Sequence, residues 1–299
     1  MLAPIATKRS IAMFDISWLL SLASHFPLEG MDMRFMQQAL LALVLLAPMT
    51  AALGVQVVHY RMAFFSDAVG HSAFAGVAVG LLLGMHPHIS MPLFGLGVGL
   101  VIMFMQRYSA LPSDTVIGVV FSAVVAAGLA VVSRDNTIAR DLQQFLYGDI
   151  LTMTEADICW LILLFGAFLL FQAFAFNHLL YAGTSGIIAR AHRIRVALYE
   201  YCFAALLALV VMFSVWGVGV LLVTAMLIVP AACARNLAQT AGGMFWWAIA
   251  VSLSSSVSGL ALSVQPWMGT ATGATIILVS CAWFVVSIVV SAARNERRL

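Results

Sequence analysis

An all-α bundle of about nine membrane-spanning helices is the fold class this sequence predicts, and three observations predict it. Of 299 residues, 63% are hydrophobic and 9% are charged, whereas a soluble domain carries about a quarter charged residues. Too few charges exist to cover a water-facing surface, so lipid must be the solvent for most of the chain. Apolar stretches also recur at the length of about 17 to 25 residues that a hydrocarbon core requires. These stretches are apolar all round, not alternating in segments of about ten residues as barrel strands do. The same composition excludes a soluble enzyme and a nucleic-acid binder, since the net charge of +2 contains no basic block.

Residues 1–30 form a separate N-terminal segment, and 31–299 the transmembrane domain. In the first segment Lys8 and Arg9 precede IAMFDISWLLSLASHF, which superficially resembles a signal peptide. Asp15 interrupts the apolar run, and Ala23, Ser24 and His25 form no A-x-A cleavage pattern. A tenth span is one expectation here, and an interfacial helix anchored by Trp18 and Phe26 is the other.

The spans follow in order near 36–57, 64–84, 90–107, 113–133, 158–177, 196–213, 217–234, 244–264 and 270–291. Pro112 and Ser113 open the fourth, and Pro230 falls inside the seventh. The 134–157 loop is long and mixed in charge. The small-residue stretch AGTSG (182–186) is expected to open a short polar helix, with Thr184 or Ser185 as N-cap. Arg61, Arg107, Arg190, Arg193, Arg195, Arg235, Arg294, Arg297 and Arg298 then share one side, against Arg34, Arg134 and Arg140 on the other. Nine against three places the C-terminus and the 178–195 segment in the cytoplasm, and the 134–157 loop outside.

An ionisable residue inside a span costs roughly 2.5 to 3.5 kcal/mol on insertion scales, so each one needs a reason. Asp67 and His71 lie four apart in FFSDAVGHSAFAGVAVG and therefore share one helix face, about 6 Å apart at Cβ. A carboxylate and a neutral imidazole so placed supply part of a site for a first-row divalent ion. Another helix, water or a second copy of the chain must complete it. The alternative is a hydrogen bond that joins helices. Gly70, Ala73, Ala75, Gly76, Ala78 and Gly80 keep this helix thin, which suits a pathway lining.

Weaker candidates are Asp114, which N-terminal capping also explains, Asp149, and Glu200, one turn into the sixth span beside Arg195 and Tyr199. His59 reads as a solvated loop residue near Arg61, and His86 and His88 flank Pro87 at an outer turn. Cys159, Cys202, Cys233 and Cys281 lack CxxC spacing and read as buried free thiols. HExxH, GxSxG and Walker A patterns are absent from the sequence.

Four segments carry a family resemblance: RMAFFSDAVGHSAFAGVAVG (61–80), SDTVIGVVFSAVVAAG (113–128), DLQQFLYGDIL (141–151) and VWGVGVLLVTAMLIVPAACARNL (215–237). Over about 31–292 the chain resembles the permease subunits of the metal-type ABC importers, which serve zinc, manganese and sometimes iron uptake in bacteria. The resemblance implies a non-catalytic permease of the bacterial cytoplasmic membrane, with no resident cofactor and a divalent metal ion as cargo. It implies three partners: a cytoplasmic ATPase, an extracytoplasmic metal-binding protein and a second permease chain, identical or not. Asp67 and His71 match the family's metal-coordinating pair. The 183–194 segment resembles its cytoplasmic coupling element through SGIIARAHRI, which makes Ser185, Gly186, Ala189, Arg190, His192 and Arg193 the candidate ATPase-coupling residues. Gly186 and Arg193 depart from the acidic residue and the glycine that the family often places early and late in this element. The readings weighed against this one are an ion-coupled secondary carrier, a permease for a metal chelate, and a structural assembly subunit.

Overall fold

The computed structural model describes residues 17–27, 31–133, 150–184 and 195–296. Its helices are α1 (Ser17–Ser24), α2 (Arg34–His59), α3 (Phe65–Leu82), α4 (Pro87–Tyr108), α5 (Ser113–Val132), α6 (Glu155–Thr184), α7 (Val196–Val218), α8 (Val220–Leu237), α9 (Ala241–Ser263) and α10 (Thr272–Glu296). Among the described residues, the nine from α2 to α10 are long and apolar enough to cross a membrane. Each overlaps one expected span. At eight residues, α1 is about 12 Å long and too short to cross. It lays Leu20 against Ile158 and leaves Trp18 61% exposed.

Side-chain pairs fix which helix ends lie together. Arg34 of α2 meets Glu155 of α6 at 3.4 Å, Arg107 of α4 meets Glu200 of α7 at 3.8 Å, and Arg294 of α10 donates to the Leu237 carbonyl of α8 at 2.7 Å. The first pair belongs to the end expected outside and the other two to the Arg-rich end. α2 is the mast of the bundle, packed by α1, α6, α7, α8 and α9 and buried at sixteen positions. Its approach to α8 is backbone to backbone: a Cβ added to Gly54 would lie 2.8 Å from the Leu227 carbonyl carbon.

Several boundaries differ from the expected ones for physical reasons. α7 and α8 are divided by one residue, Gly219, whose φ of 83° and ψ of 159° suit only glycine. The sequence places the break at 214–216, upstream of Gly219, because the surrounding run is apolar and marks no boundary. α6 continues through Ala182, Gly183 and Thr184, so these three close a span and do not open the next helix. Its start is a reciprocal cap: Asp157 accepts from the Thr154 amide at 3.0 Å and hydroxyl at 2.6 Å, while the Asp157 amide donates to Thr154 Oγ1 at 3.3 Å.

α2 turns into α3 through a tight, fully bonded stop. The amide of Arg61 donates to the Val58 carbonyl at 3.2 Å and that of Met62 to Val57 at 3.0 Å, a Schellman pattern with Arg61 in the left-handed region at φ 56°. The end of α3 repeats the pattern with Gly84 in the same role. A side chain in this conformation costs about 1–2 kcal/mol, so Arg61→Gly should raise thermal stability in detergent by up to about 1 kcal/mol. A fall in melting temperature would show that the Arg61 side chain contributes more than its backbone costs.

Candidate functional site

Asp67 stands in the first turn of α3 and His71 one turn further on. Between Phe65 and Ala78, every residue of α3 is buried except Asp67, His71 and Phe74. These three recur at intervals of four and three, so they form a single open stripe. Their side chains face out of the chain, 35% exposed for Asp67 and 28% for His71.

The pair is preorganised. His71 Nδ1 lies 3.0 Å from the Asp67 carbonyl oxygen and 3.4 Å from Asp67 Oδ1. A carbonyl oxygen only accepts, so Nδ1 carries the proton in this bond, and in the neutral ring the lone pair is on Nε2. Phe121 of α5 meets the imidazole edge to face at 5.5 Å, and Phe74 is tilted against it at 6.4 Å. These rings limit how the imidazole swings. Phe121 was not singled out from sequence, because one aromatic in an apolar span carries no distinguishing signal.

The small residues of α3 have a use other than the one expected. Gly76 faces Met91 and Phe94 of α4, Gly80 faces Ser90, Gly70 faces Val215 and Val220, and Ala75 packs on Gly128 of α5. They seat α3 against its neighbours in the same chain, and the open stripe carries the larger side chains.

Other candidates separate from this pair. Asp114 is exposed in the first turn of α5, whose N-cap is Pro112 with no side-chain cap bond. It therefore does not cap the helix, although its charge suits the helix N-terminus. Glu200 pairs with Arg107 beside a cavity of about 210 Å³ that Ser113 and Gln106 also line. His59 is the last residue of α2 and not a solvated loop residue. Its ring packs on Gly183, and its Nε2 is buried without a partner. His86 is the N-cap of α4, while the His88 ring lies 3.7 Å from that of Trp216 at a cavity of about 410 Å³ that Asp157 also lines. Of the four cysteines only Cys233 is buried, since Cys159 is half-buried and Cys202 and Cys281 are exposed. Asp149, Ser185, Gly186, Ala189, Arg190, His192 and Arg193 lie outside the described residues. Among the described residues, no three His, Cys, Asp or Glu side chains gather as a metal cluster. Asp67 and His71 thus stand as a pair, with no third such side chain gathered beside them among the described residues.

The model of the ABC 3 transport family matches residues 32–291. The chain is 31% identical to the high-affinity zinc uptake system membrane protein ZnuB of Haemophilus influenzae, over 84% of this chain and 95% of that one. It is 32% identical to the manganese import system permease protein ScaB of Streptococcus gordonii, over 86% and 91% respectively. Among solved structures, PsaBC from Streptococcus pneumoniae in complex with Fab superposes with a TM-score of 0.72 at 28% identity, covering 91% of this chain and 95% of that one. With residues 32–291 matched by the family's model, and with nine helices among the described residues long and apolar enough to cross a membrane, this chain belongs to the ABC 3 transport family.

Proposed function

We propose that this chain is the permease subunit of an ATP-driven importer that carries a divalent transition metal ion, zinc, manganese or iron, into the bacterial cytoplasm. The observation that carries the reading is the Asp67 and His71 pair on the one open stripe of α3. An ion leaving water needs negative charge and lone pairs along its route, and the pair offers both. Incomplete ligation suits a pathway, because a closed four-ligand site would trap the ion.

A second permease chain, identical or closely similar, supplies the rest of the shell. Beside the ligand stripe, α5 presents Asp114, Gly118 and Ser122 at four-residue spacing on its exposed side. A carboxylate and small residues make a poor lipid face and a good helix contact. A twofold axis there brings two carboxylates and two imidazoles to one point, which meets the coordination deficit of a single chain. Glu200, paired with Arg107, stands apart from this shell.

ATP hydrolysis belongs to a separate cytoplasmic subunit, and an extracytoplasmic binding protein delivers the ion. Ser185, Gly186, Ala189, Arg190, His192 and Arg193 couple the permease to the ATPase in this reading. No resident cofactor is needed, since the metal is cargo. Relatives whose names are those of import permeases favour this reading over an ion-coupled carrier. Proteoliposomes holding permease, ATPase and binding protein test the choice. Radiometal uptake should require enclosed ATP and persist when an uncoupler collapses the proton gradient; uptake without ATP, lost to the uncoupler, would establish the carrier instead.

A further inference from the structure

α2 and α6 run side by side in the same direction, tied at the outer end by the Arg34 and Glu155 ion pair. Deeper in, they share a polar seam that the metal site does not use. Gln56 and Gln172 are 5% and 8% exposed, within otherwise apolar spans. Gln56 Nε2 donates to Gln172 Oε1 at 3.3 Å, and that bond leaves Gln56 Oε1 and Gln172 Nε2 buried with no partner. One orphan is an acceptor and the other a donor. Two amides that serve only to glue helices would pair reciprocally, because each unmet polar atom in a dry interior is costly. A slide of α6 along α2 with rotation of both amides would bring this acceptor and this donor together.

Nearer the Arg-rich end the seam continues. Tyr60 Oη donates to the Leu179 carbonyl at 2.9 Å, and the His59 ring packs on Gly183. Both ends of the seam lead somewhere. At Thr184 the chain leaves α6 for residues 185–194. α2 passes into α3 through the stop at Arg61, where the amides of Tyr60, Arg61, Met62 and Phe65 are all bonded to backbone carbonyls. Asp67 is two residues beyond Phe65, so displacement of α2 is displacement of the ligand stripe.

We infer that Gln56 and Gln172 are positioning residues, a two-position latch that holds α6 to α2 differently in different states of the cycle and so carries movement at the cytoplasmic end to Asp67 and His71. The inference rests on the permease reading above. Its test replaces both amides, Gln56→Leu with Gln172→Leu, since removing both partners for apolar groups of similar size leaves no orphan and preserves assembly. In proteoliposomes with the ATPase and binding protein, metal imported per ATP hydrolysed should fall by about tenfold, within the usual range of coupling between sites, while hydrolysis continues. A ratio equal to that of the unmodified chain reduces the amides to structural filler and overturns the latch. Gln172→Asn, one methylene shorter, keeps the polar group and reads the same ratio if the double variant fails to assemble; an unchanged ratio overturns the latch there too. The unmodified chain in the same vesicles separates the two ideas: without ATP-driven import by it, the permease reading falls and takes the latch with it.

Discussion

Asp67→Asn should leave the complex assembled and reduce ATP-driven metal import to the leak seen without ATP. The amide keeps the carboxylate's shape and removes its charge, and charge is what compensates a divalent ion for its lost hydration. His71→Ala should have the same effect for a different reason: it leaves the charge and removes the imidazole whose Nε2 points away from the Asp67 carbonyl. Both side chains are partly open, and the His71 ring rests against Phe74 and Phe121, so neither change opens a cavity in the core. Radiometal uptake, with the amount of assembled complex measured in parallel, checks both. Near-normal uptake by the two variants would make the pair a plain hydrogen bond, and loss of assembly would make it helix glue.

The second large effect is on folding. Gly54 meets the Leu227 backbone so closely that a Cβ would fall 2.8 Å from the carbonyl carbon and nearer still to its oxygen. A side chain there must push α8 away from α2, and overpacking of this kind costs about 1–3 kcal/mol even where flexible side chains take the strain. Here the obstacle is backbone. Gly54→Leu should therefore yield no monodisperse permease on size-exclusion chromatography after membrane extraction, and a normal yield would show that the two helices separate readily. Gly97, where a Cβ meets nothing within 4 Å, is the matched control.

The spans were legible because lipid imposes a simple rule: a helix that crosses it must be apolar for its whole length. Where that rule is silent, the sequence misleads. The run from Val215 to Leu222 carries no charged residue, so the expected break falls at 214–216, and the backbone at Gly219 shows where one helix ends. Thr184 sits in a small polar stretch and still belongs to α6, where Gly183 leaves room for the His59 ring. The Asp67 and His71 pair was visible as spacing, since four residues on a helix is one face. That its stripe is the open one was not visible, because the small residues that bury the rest of α3 look the same whether they face a pathway or a neighbouring helix. Gln56 and Gln172 were harder still. They are 116 positions apart, each a lone amide in an apolar run, and only their meeting across α2 and α6 makes them a pair.

The central claim, that the travelling ion binds between two copies of the Asp67 and His71 stripe, is tested most directly by electron–nuclear double resonance on the assembled permease loaded with manganese(II) in the absence of ATP. One ion per two permease chains, coupled to imidazole nitrogen, is the predicted result, with the nitrogen coupling lost in His71→Ala. An ion bound once per chain, or a nitrogen coupling that survives His71→Ala, would contradict it.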